Sequence, residues 1–331
     1  MDRLQQIHLW LGSVLPGQEF TLSVASADAS FRRYFRVTLA DGSTRIIMDA
    51  PPAHEDCRPF VHVAALFGAA GAHVPQVHAQ DLEQGFLLLS DLGSTTYLAA
   101  LTPDNAGTLY ADALGALAAI QRASRPGVLP EYDRALLLRE LMLFPEWYVA
   151  RHKGVTLSEA ETASLHDVFE RILAVNLAEP RVYVHRDFHS RNLMLSSPNP
   201  GVLDFQDAVH GPITYDLASL LKDAYIHWDE EQTLDWLVRY WEIGRRIGLP
   251  VRSEFSDFHR DYEFMGAQRH IKVLGIFARL YHRDGKDGYL KDMPLVMHYL
   301  RATCRRYAEL RPLLRLLDRL EPEEVQVGYT F

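Results

Sequence analysis

One short segment of the chain holds most of the side chains that could do chemistry. It reads HRDFHSRN from His185 to Asn192, and LDFQD follows at 203–207. Asp187 comes just after a predicted strand, Asn192 begins the next, and Asp204 ends a third strand of the same small predicted sheet. The spacing therefore predicts that two carboxylates and one amide converge at one edge of that sheet.

These oxygen donors suit a hard cation, because carboxylate and amide oxygens are the ligands that Mg²⁺ prefers. We expect Asn192 and Asp204 to hold Mg²⁺ and, through it, the phosphates of a nucleotide. Asp187 is expected to orient an acceptor hydroxyl and to accept its proton. Phosphoryl transfer needs little covalent help from a protein, so such a site would act mainly by positioning and charge neutralisation.

The two histidines of the segment are interpreted as structural. His185 and His189 flank a loop and do not share one helix face, so their spacing does not predict a zinc site. His185 is expected to brace the catalytic loop.

The elements around this segment predict an α+β chain with a boundary at residue 92. Strand-like stretches lie at 21–25, 34–39, 45–50 and 85–89, with helices at 4–14 and 60–72. Asp41-Gly42 between the second and third strands is a strong hairpin signal. Beyond residue 92 the pattern is mainly helical, at 97–122, 136–151, 158–177 and from 215 nearly to the end, interrupted by strand-like stretches at 181–185, 192–195 and 201–205.

Composition narrows the class of protein. The chain has 331 residues, of which 48% are hydrophobic and 23% charged, as is ordinary for a packed domain. A net charge of −9 argues against nucleic acid or an anionic membrane as the main partner. Cys57 and Cys304 are too few for a disulfide scaffold or a cysteine metal site. With no long apolar run and no cleavage-site pattern at the N-terminus, a globular cytoplasmic protein is expected.

The motifs resemble those of a known family. H-R-D-x-x-x-x-N followed by D-F-Q resembles the catalytic and metal loops of protein-kinase-like phosphotransferases, with Gln206 in place of a glycine. VHRDFHSRNLM, GVLDFQDA and PITYDLASLL resemble more closely the aminoglycoside-phosphotransferase family. SADASFRRYFRV, MDAPP, LFPEWYVARH and QRHIKVLGIFARLYHRDGK are similar to the anomeric N-acetylmuramate/N-acetylglucosamine kinases of bacterial cell-wall recycling, over roughly residues 20–295.

The resemblance implies a bilobal kinase-like fold, with a nucleotide-binding lobe at 1–92 and a catalytic lobe at 93–331. It implies a phosphotransferase that uses ATP with Mg²⁺ to phosphorylate the anomeric (C1) hydroxyl of the amino sugar. Backbone groups of Ser90, Asp91 and Leu92 would hold the adenine edge, and Asp216 would be structural. ATP and the amino sugar are the expected partners, without nucleic acid or membrane, and a monomer is expected.

The sequence departs from the family pattern in the nucleotide lobe. The loop between the first two strands contains no glycine, and the candidates there for nucleotide binding are Ser30, Phe31, Arg32 and Arg33. The third strand should supply a lysine for the phosphates but reads Met48-Asp49. Either Arg32 or Arg33 could supply the missing charge, and Glu55 is then a poor candidate for a lysine partner.

The acceptor pocket has the weakest sequence signal. Sugar sites favour an aromatic platform with polar groups around it, although an aromatic at helical spacing is more often a core residue. The basic run at 269–272 could meet a lactyl carboxylate, although such a run is more often a solvated face. The candidates for substrate binding are Glu140, Trp147, Arg191, Tyr225, Trp228 and Arg269.

Two alternatives stay open at this point. The same chemistry could act on another acceptor, such as an aminoglycoside, choline or homoserine, and a strongly acidic cleft would favour the aminoglycoside. A nucleotide-binding pseudokinase is motivated by the absent lysine, while intact Asp187, Asn192 and Asp204 count against it.

Overall fold

The computed structural model describes residues 2–27 and 31–322. The chain divides into two compact units, the first joining residues 1–123 to 185–208 and the second joining 124–184 to 209–331. The predicted catalytic segment thus belongs to the same unit as the N-terminal strands, although both flanking stretches belong to the other unit. The division at residue 92 into a nucleotide-binding and a catalytic lobe is a functional one and stays a prediction.

Within the described residues, the first unit is built on an antiparallel sheet of five strands. They are β1 (Phe20–Ala27), β2 (Arg33–Leu39), β3 (Thr44–Asp49), β4 (Val77–Asp81) and β5 (Phe86–Ser90). They lie in the order β1-β2-β3-β5-β4. Gly42 has a φ of 80° and Asp41 accepts a hydrogen bond from the Ser43 amide (2.9 Å), so the predicted hairpin between β2 and β3 is confirmed. The sequence does not predict β4, because VHAQD carries no apolar stripe.

Helix α1 (Arg3–Val14) packs on this sheet through the buried side chains of Ile7, Trp10 and Leu11. Burial of these side chains, at about 25 cal/mol per Å² of apolar surface, stabilises the helix on the sheet. The shared core consists of Ile7, Trp10, Leu11, Val37, Ile47, Phe86 and Leu88.

The other helices of the first unit are α2 (Arg58–Ala69), α3 (Tyr97–Ala100) and α4 (Ala106–Arg122). The prediction of one continuous helix over 97–122 is wrong, because the helix is interrupted between α3 and α4. Pro103 lies in the break, where it cannot donate a backbone hydrogen bond and disfavours a helical Thr102.

The strand-like stretches around the catalytic segment form two separate ladders. Their strands are β6 (Arg181–Val184), β7 (Leu193–Met194), β8 (Gly201–Val202) and β9 (Val209–Pro212). β6 pairs with β9 in the second unit, and β7 pairs with β8 in the first. The prediction of a single three-stranded sheet is therefore wrong. Pro198 and Pro200 between β7 and β8 lack the amide that a longer ladder would need.

The second unit is mainly helical. Its α-helices are α5 (Arg134–Leu141), α6 (Glu159–Leu177), α7 (Tyr215–Leu221), α8 (Glu230–Ile247), α9 (Phe255–Asp284), α10 (Met293–Arg306) and α11 (Arg311–Leu320). The predicted helix over 136–151 changes to a π-helix at Phe144–His152, and short 3₁₀ turns occupy Asp287–Asp292 and Ala308–Leu310. None of the helices within 2–27 and 31–322 has the length and apolar character needed to cross a bilayer.

The long helix α9 is buried over most of its middle, including polar positions. Gly275 allows this close packing, because a Cβ there would lie 2.5 Å from the carbonyl carbon of Leu143. At the polar positions, Glu263 binds Lys222 (2.6 Å) and Lys272 binds Glu140 (3.1 Å). Buried charges of this kind are tolerated because each is paired.

Glu179 predicts a pH dependence of stability. It is buried between α6 and β6, and its Oε2 accepts hydrogen bonds from the amide (3.1 Å) and hydroxyl (2.7 Å) of Thr214. Burial, with Asp261 nearby, raises the pKa of this carboxyl to about 8. The folded chain keeps this proton in a range where the unfolded chain has lost it, so the stabilisation falls as pH rises from about 4.5 through 8.

We expect Glu179→Gln to remove that dependence, because the amide is neutral at every pH. The unfolding free energy of wild type should fall relative to the variant by about 3 kcal/mol between pH 5 and pH 8. Urea unfolding of both proteins at the two pH values measures this. The exposed Glu159→Gln is the matched control, and a Glu179→Gln difference as flat with pH as the control's would contradict the prediction.

Candidate active site

Asp187, Asn192 and Asp204 lie together in the first unit. Asn192 Nδ2 donates to the backbone oxygen of Asp187 (3.0 Å) and to Oδ2 of Asp204 (3.3 Å). Gln206 Nε2 donates to the other carboxylate oxygen, Oδ1 of Asp204 (3.0 Å). The Asp187 and Asp204 residues are both half-buried. These hydrogen bonds hold the Asn192 amide and the Asp204 carboxylate in fixed positions relative to each other.

The backbone at this cluster adopts a conformation that residues other than glycine rarely take. Arg186 has a φ of 77° and Asp204 a φ of 63°, the two positive values for non-glycine residues in the part of the chain that the structure describes. Each costs on the order of 1–3 kcal/mol. The bond from the Leu203 amide to the Asn192 carbonyl (2.9 Å) ties the segment together. The strain therefore falls next to Asp187 and on Asp204 itself.

His185 braces the loop, as the sequence predicted. Its ring is fully buried, with Nε2 2.9 Å from the Leu203 carbonyl oxygen, while Nδ1 accepts from the Asp187 amide (3.2 Å). Burial lowers the pKa of the imidazole to about 4, so the ring is neutral at physiological pH. A neutral ring can donate from one nitrogen and accept at the other, which these two contacts require.

The residues present fit a magnesium ion. The Asn192 side-chain nitrogen donates to Asp187 and Asp204, so the side-chain oxygen is the atom that could coordinate a cation. With the Asp204 carboxylate this gives a donor set of oxygen only, which suits Mg²⁺ and does not suit zinc. Asn192 and Asp204 are the residues that would hold the ion.

The nucleotide loop is described only in part. Ser30, a predicted nucleotide contact, lies outside the described residues. Phe31 is 64% exposed and stacks on His54, with ring centroids 4.5 Å apart. Its role toward a nucleotide stays a prediction.

Arg32 and Arg33, the two candidates for the missing cation, have different partners. Arg32 Nη2 lies 3.6 Å from Oδ1 of Asp204, and its Nε lies 4.0 Å from Oε2 of Glu55. Arg33 instead donates from Nε to Oδ2 of Asp49 (2.9 Å). From the sequence, Glu55 is judged a poor candidate because the lysine that it would pair with is absent. In the structure Glu55 lies beside Arg32 instead.

Asp49 has a structural part that the sequence did not reveal. It is fully buried at the end of β3, directly opposite Arg33 on β2. Arg3 of α1 donates to it as well (Nε to Oδ1, 2.8 Å) and lies over the Phe86 ring. Where a lysine was expected, this acid therefore joins α1, β2 and β3.

The segment predicted to hold the adenine edge, Ser90 to Leu92, is tied to the sheet through its side chains. Arg36 forms two hydrogen bonds with the carboxylate of Asp91, which also accepts from the Gly93 amide (2.9 Å). Ser90 accepts from the Gln76 amide (2.8 Å), and Leu92 is buried. With these side chains engaged, contacts to a base would have to come from backbone groups, of which the Ser90 amide already donates to the Gln76 carbonyl (2.9 Å).

The predicted acceptor residues fall in both units. Arg191 lies in the catalytic segment of the first unit and is half-buried, whereas the other five belong to the second unit. Glu140 is buried and accepts from the Tyr132 hydroxyl and from Gln268 Nε2 (3.2 Å). Arg269 is buried with its guanidinium 5.7 Å from the centre of the Tyr215 ring.

The three aromatic candidates are half-buried in the second unit. Trp147 stacks under Arg151, and Tyr225 lies 6.3 Å from Phe277, ring centroid to ring centroid. Trp228 lines a cavity of about 90 Å³ whose polar wall includes the Lys222–Glu263 pair. Substrate binding by these residues stays a prediction.

Comparisons with known proteins show the family of the chain. Residues 21–255 match the model of a family described as the phosphotransferase enzyme family, APH. The N-acetylmuramate/N-acetylglucosamine kinase of Neisseria meningitidis is 51% identical over 336 residues, covering 100% of both chains. The enzyme of the same name from Pseudomonas aeruginosa is 52% identical, covering 96% of this chain and 97% of the relative.

Solved structures share the fold at much lower identity. Choline kinase LicA from Streptococcus pneumoniae superposes with a TM-score of 0.63 and 13% identity, covering 91% of this chain and 100% of that one. At this identity the likeness is one of fold. The antiparallel sheet and the helical remainder of the present chain are thus the α+β, kinase-like architecture expected from the sequence.

Proposed function

Because the chain belongs to the phosphotransferase enzyme family, we propose that it transfers the γ-phosphoryl group of ATP to the anomeric hydroxyl of N-acetylmuramate and N-acetylglucosamine. The observation that carries this proposal is the cluster of Asp187, Asn192 and Asp204, held by hydrogen bonds between Asn192 and the two aspartates. The full-length likeness to kinases named for these two sugars supports the choice of acceptor.

The chemistry follows from what each side chain can do. Asp187 orients the C1 hydroxyl and accepts its proton as the sugar oxygen bonds to the γ-phosphorus and the bond to ADP breaks. The anomeric hydroxyl is more acidic than an ordinary alcohol, which eases the task of a carboxylate base. Mg²⁺, held by Asn192 and Asp204, would supply positive charge that neutralises the phosphates.

The surrounding loop residues position the reactants. His185 accepts a hydrogen bond from the Asp187 amide through a neutral ring, because burial lowers the pKa of this imidazole to about 4. Arg191, in the same loop, contacts the acceptor or the transferred phosphate. Backbone groups of Ser90, Asp91 and Leu92 hold the adenine edge, because the Ser90 and Asp91 side chains have other partners.

The product would be a sugar 1-phosphate, the form from which nucleotide sugars are made. We propose that the protein serves peptidoglycan recycling in the cytoplasm, and that it acts as a monomer on ATP and an amino sugar without nucleic acid or membrane.

Phosphorus NMR of the reaction tests the proposal. We expect Mg-ATP with N-acetylmuramate or N-acetylglucosamine to give a new ³¹P signal coupled to the anomeric proton, and no such signal with an aminoglycoside or choline. A signal with another acceptor alone would keep the chemistry and overturn the substrate. Nucleotide binding without transfer to any acceptor would overturn the proposal and favour a nucleotide-binding regulator.

A further inference from the structure

Arg32 stands between two carboxylates of the first unit. Its guanidinium lies 3.6 Å from Asp204 and 4.0 Å from Glu55, and its side chain is 11% exposed. Asp204 and Glu55 are more open to solvent, at 32% and 22%. Such burial of an arginine head is costly unless acidic groups or an anionic ligand compensate it.

The neighbouring Arg33 is bound to Asp49 rather than to Asp204. Arg33 is directly opposite the buried Asp49 on the neighbouring strand, and residues in that position lie on the same face of a sheet. Its bond to Asp49, which Arg3 also reaches, keeps it on the face that α1 covers. Arg32 comes just before β2 begins, and its guanidinium lies near Asp204 and Glu55 instead.

We infer that Arg32 is the cation with which this chain binds the phosphates of the nucleotide, and that Glu55 positions it. The inference deepens the proposed function and rests on it only so far as the protein binds Mg-ATP. A guanidinium offers several N–H donors in a fixed plane, a geometry that matches phosphate oxygens, and that of Arg32 lies within ion-pair distance of both Glu55 and Asp204. In this chain the loop before β2 thus supplies the positive charge for the phosphates through Arg32. Asp49 at the end of β3 binds Arg33 and so leaves Arg32 for that role.

Arg32 lies next to Asp204, which would also bind a metal ion. The inference therefore predicts that removing Arg32 changes the affinities for Mg-ATP and for a free metal ion in opposite directions. Arg32→Ala should weaken Mg-ATP binding by about 10- to 100-fold, as expected for loss of a charged hydrogen bond. The same variant should bind Mn²⁺ alone more tightly than wild type, because a positive charge next to Asp204 is gone. Calorimetry with Mg-ATP and Mn²⁺ titration by EPR measure the two affinities without any sugar.

Arg33→Ala and the exposed Arg58→Ala are the comparisons. Arg33→Ala is expected to lower thermal stability and to keep the affinity for Mg-ATP, and Arg58→Ala to change neither. Glu55→Gln should weaken Mg-ATP binding in the wild-type background and have no further effect in Arg32→Ala, because a residue that acts through Arg32 loses its influence with it.

The contrary outcomes are distinct. Unchanged Mg-ATP affinity in Arg32→Ala would overturn the inference, and so would a parallel loss of Mn²⁺ and Mg-ATP binding, which indicates general damage to the site. If wild type binds Mg-ATP in the Arg32-dependent manner but phosphorylates neither amino sugar, only the proposed function fails. A wild-type protein that binds no Mg-ATP would overturn both.

Discussion

Asp187→Asn should lower kcat by about 10³-fold, the usual weight of a positioned general base in proton transfer. Asparagine keeps the size of the side chain and its hydrogen-bonding reach but cannot accept a proton. The backbone oxygen of Asp187, which receives Asn192 Nδ2, is untouched by the change. The affinity for Mg-ATP should therefore stay at the wild-type value. ADP release in a coupled assay and calorimetry with nucleotide measure the two quantities.

Asp207→Asn is the matched control for this experiment. Asp207 is an exposed carboxylate in the same segment, three residues after Asp204, and it accepts a hydrogen bond from Gln206 (3.2 Å). Its amide variant should turn over as wild type does. Turnover retained in Asp187→Asn, or lost equally in both variants, would contradict the role given to Asp187.

Arg3→Met should lower the free energy of unfolding by about 3 kcal/mol, because it removes a partner of a buried carboxylate. Asp49 has no exposed surface, and Arg3 and Arg33 are its cationic partners within the described residues. Methionine keeps an unbranched side chain that can pack on Phe86. The measured loss of stability therefore reports on the charge of Arg3 and its hydrogen bonds. Urea unfolding at pH 7 measures it.

A second substitution separates charge from packing. Asp49→Asn in the Arg3→Met background should recover part of the lost stability, since it removes the charge that was left underpaired. Arg58→Met, which breaks the solvent-exposed pair with Asp56, should leave the unfolding midpoint unchanged. An Arg3→Met protein as stable as Arg58→Met would show that Asp49 does not depend on Arg3.

The juxtaposition of Asp187, Asn192 and Asp204 could be predicted because its signal is local. Asp187, Asn192 and Asp204 lie within 18 residues, each beside a strand-like stretch, so chain geometry alone brings them close. The Asp41-Gly42 turn was predictable for a similar reason, because the backbone conformation of Gly42 depends on its own residue type.

The misses have the opposite origin. Asp49 meets Arg3 across 46 positions of sequence, and nothing near Asp49 signals that partner. β9 was missed because VHGP carries a glycine and a proline and is defined only by its pairing with β6. The acceptor residues stay predictions since half-buried aromatics on helices look alike whether they serve a core or a ligand.

The pairing of β6 with β9 has a consequence for how the catalytic segment can change. Val184 and Val209 are direct partners in that ladder, so residues 185–208 leave and rejoin the second unit at a single point. Because the ladder holds the two ends of this segment together, its pairing energy offsets the entropic cost of closing the loop. That cost grows only slowly with loop length. Between these two ends the segment is not free to take another path, because the Val202 amide donates to the His73 carbonyl (2.8 Å) and Asn199 Nδ2 donates to Asp112 (2.7 Å).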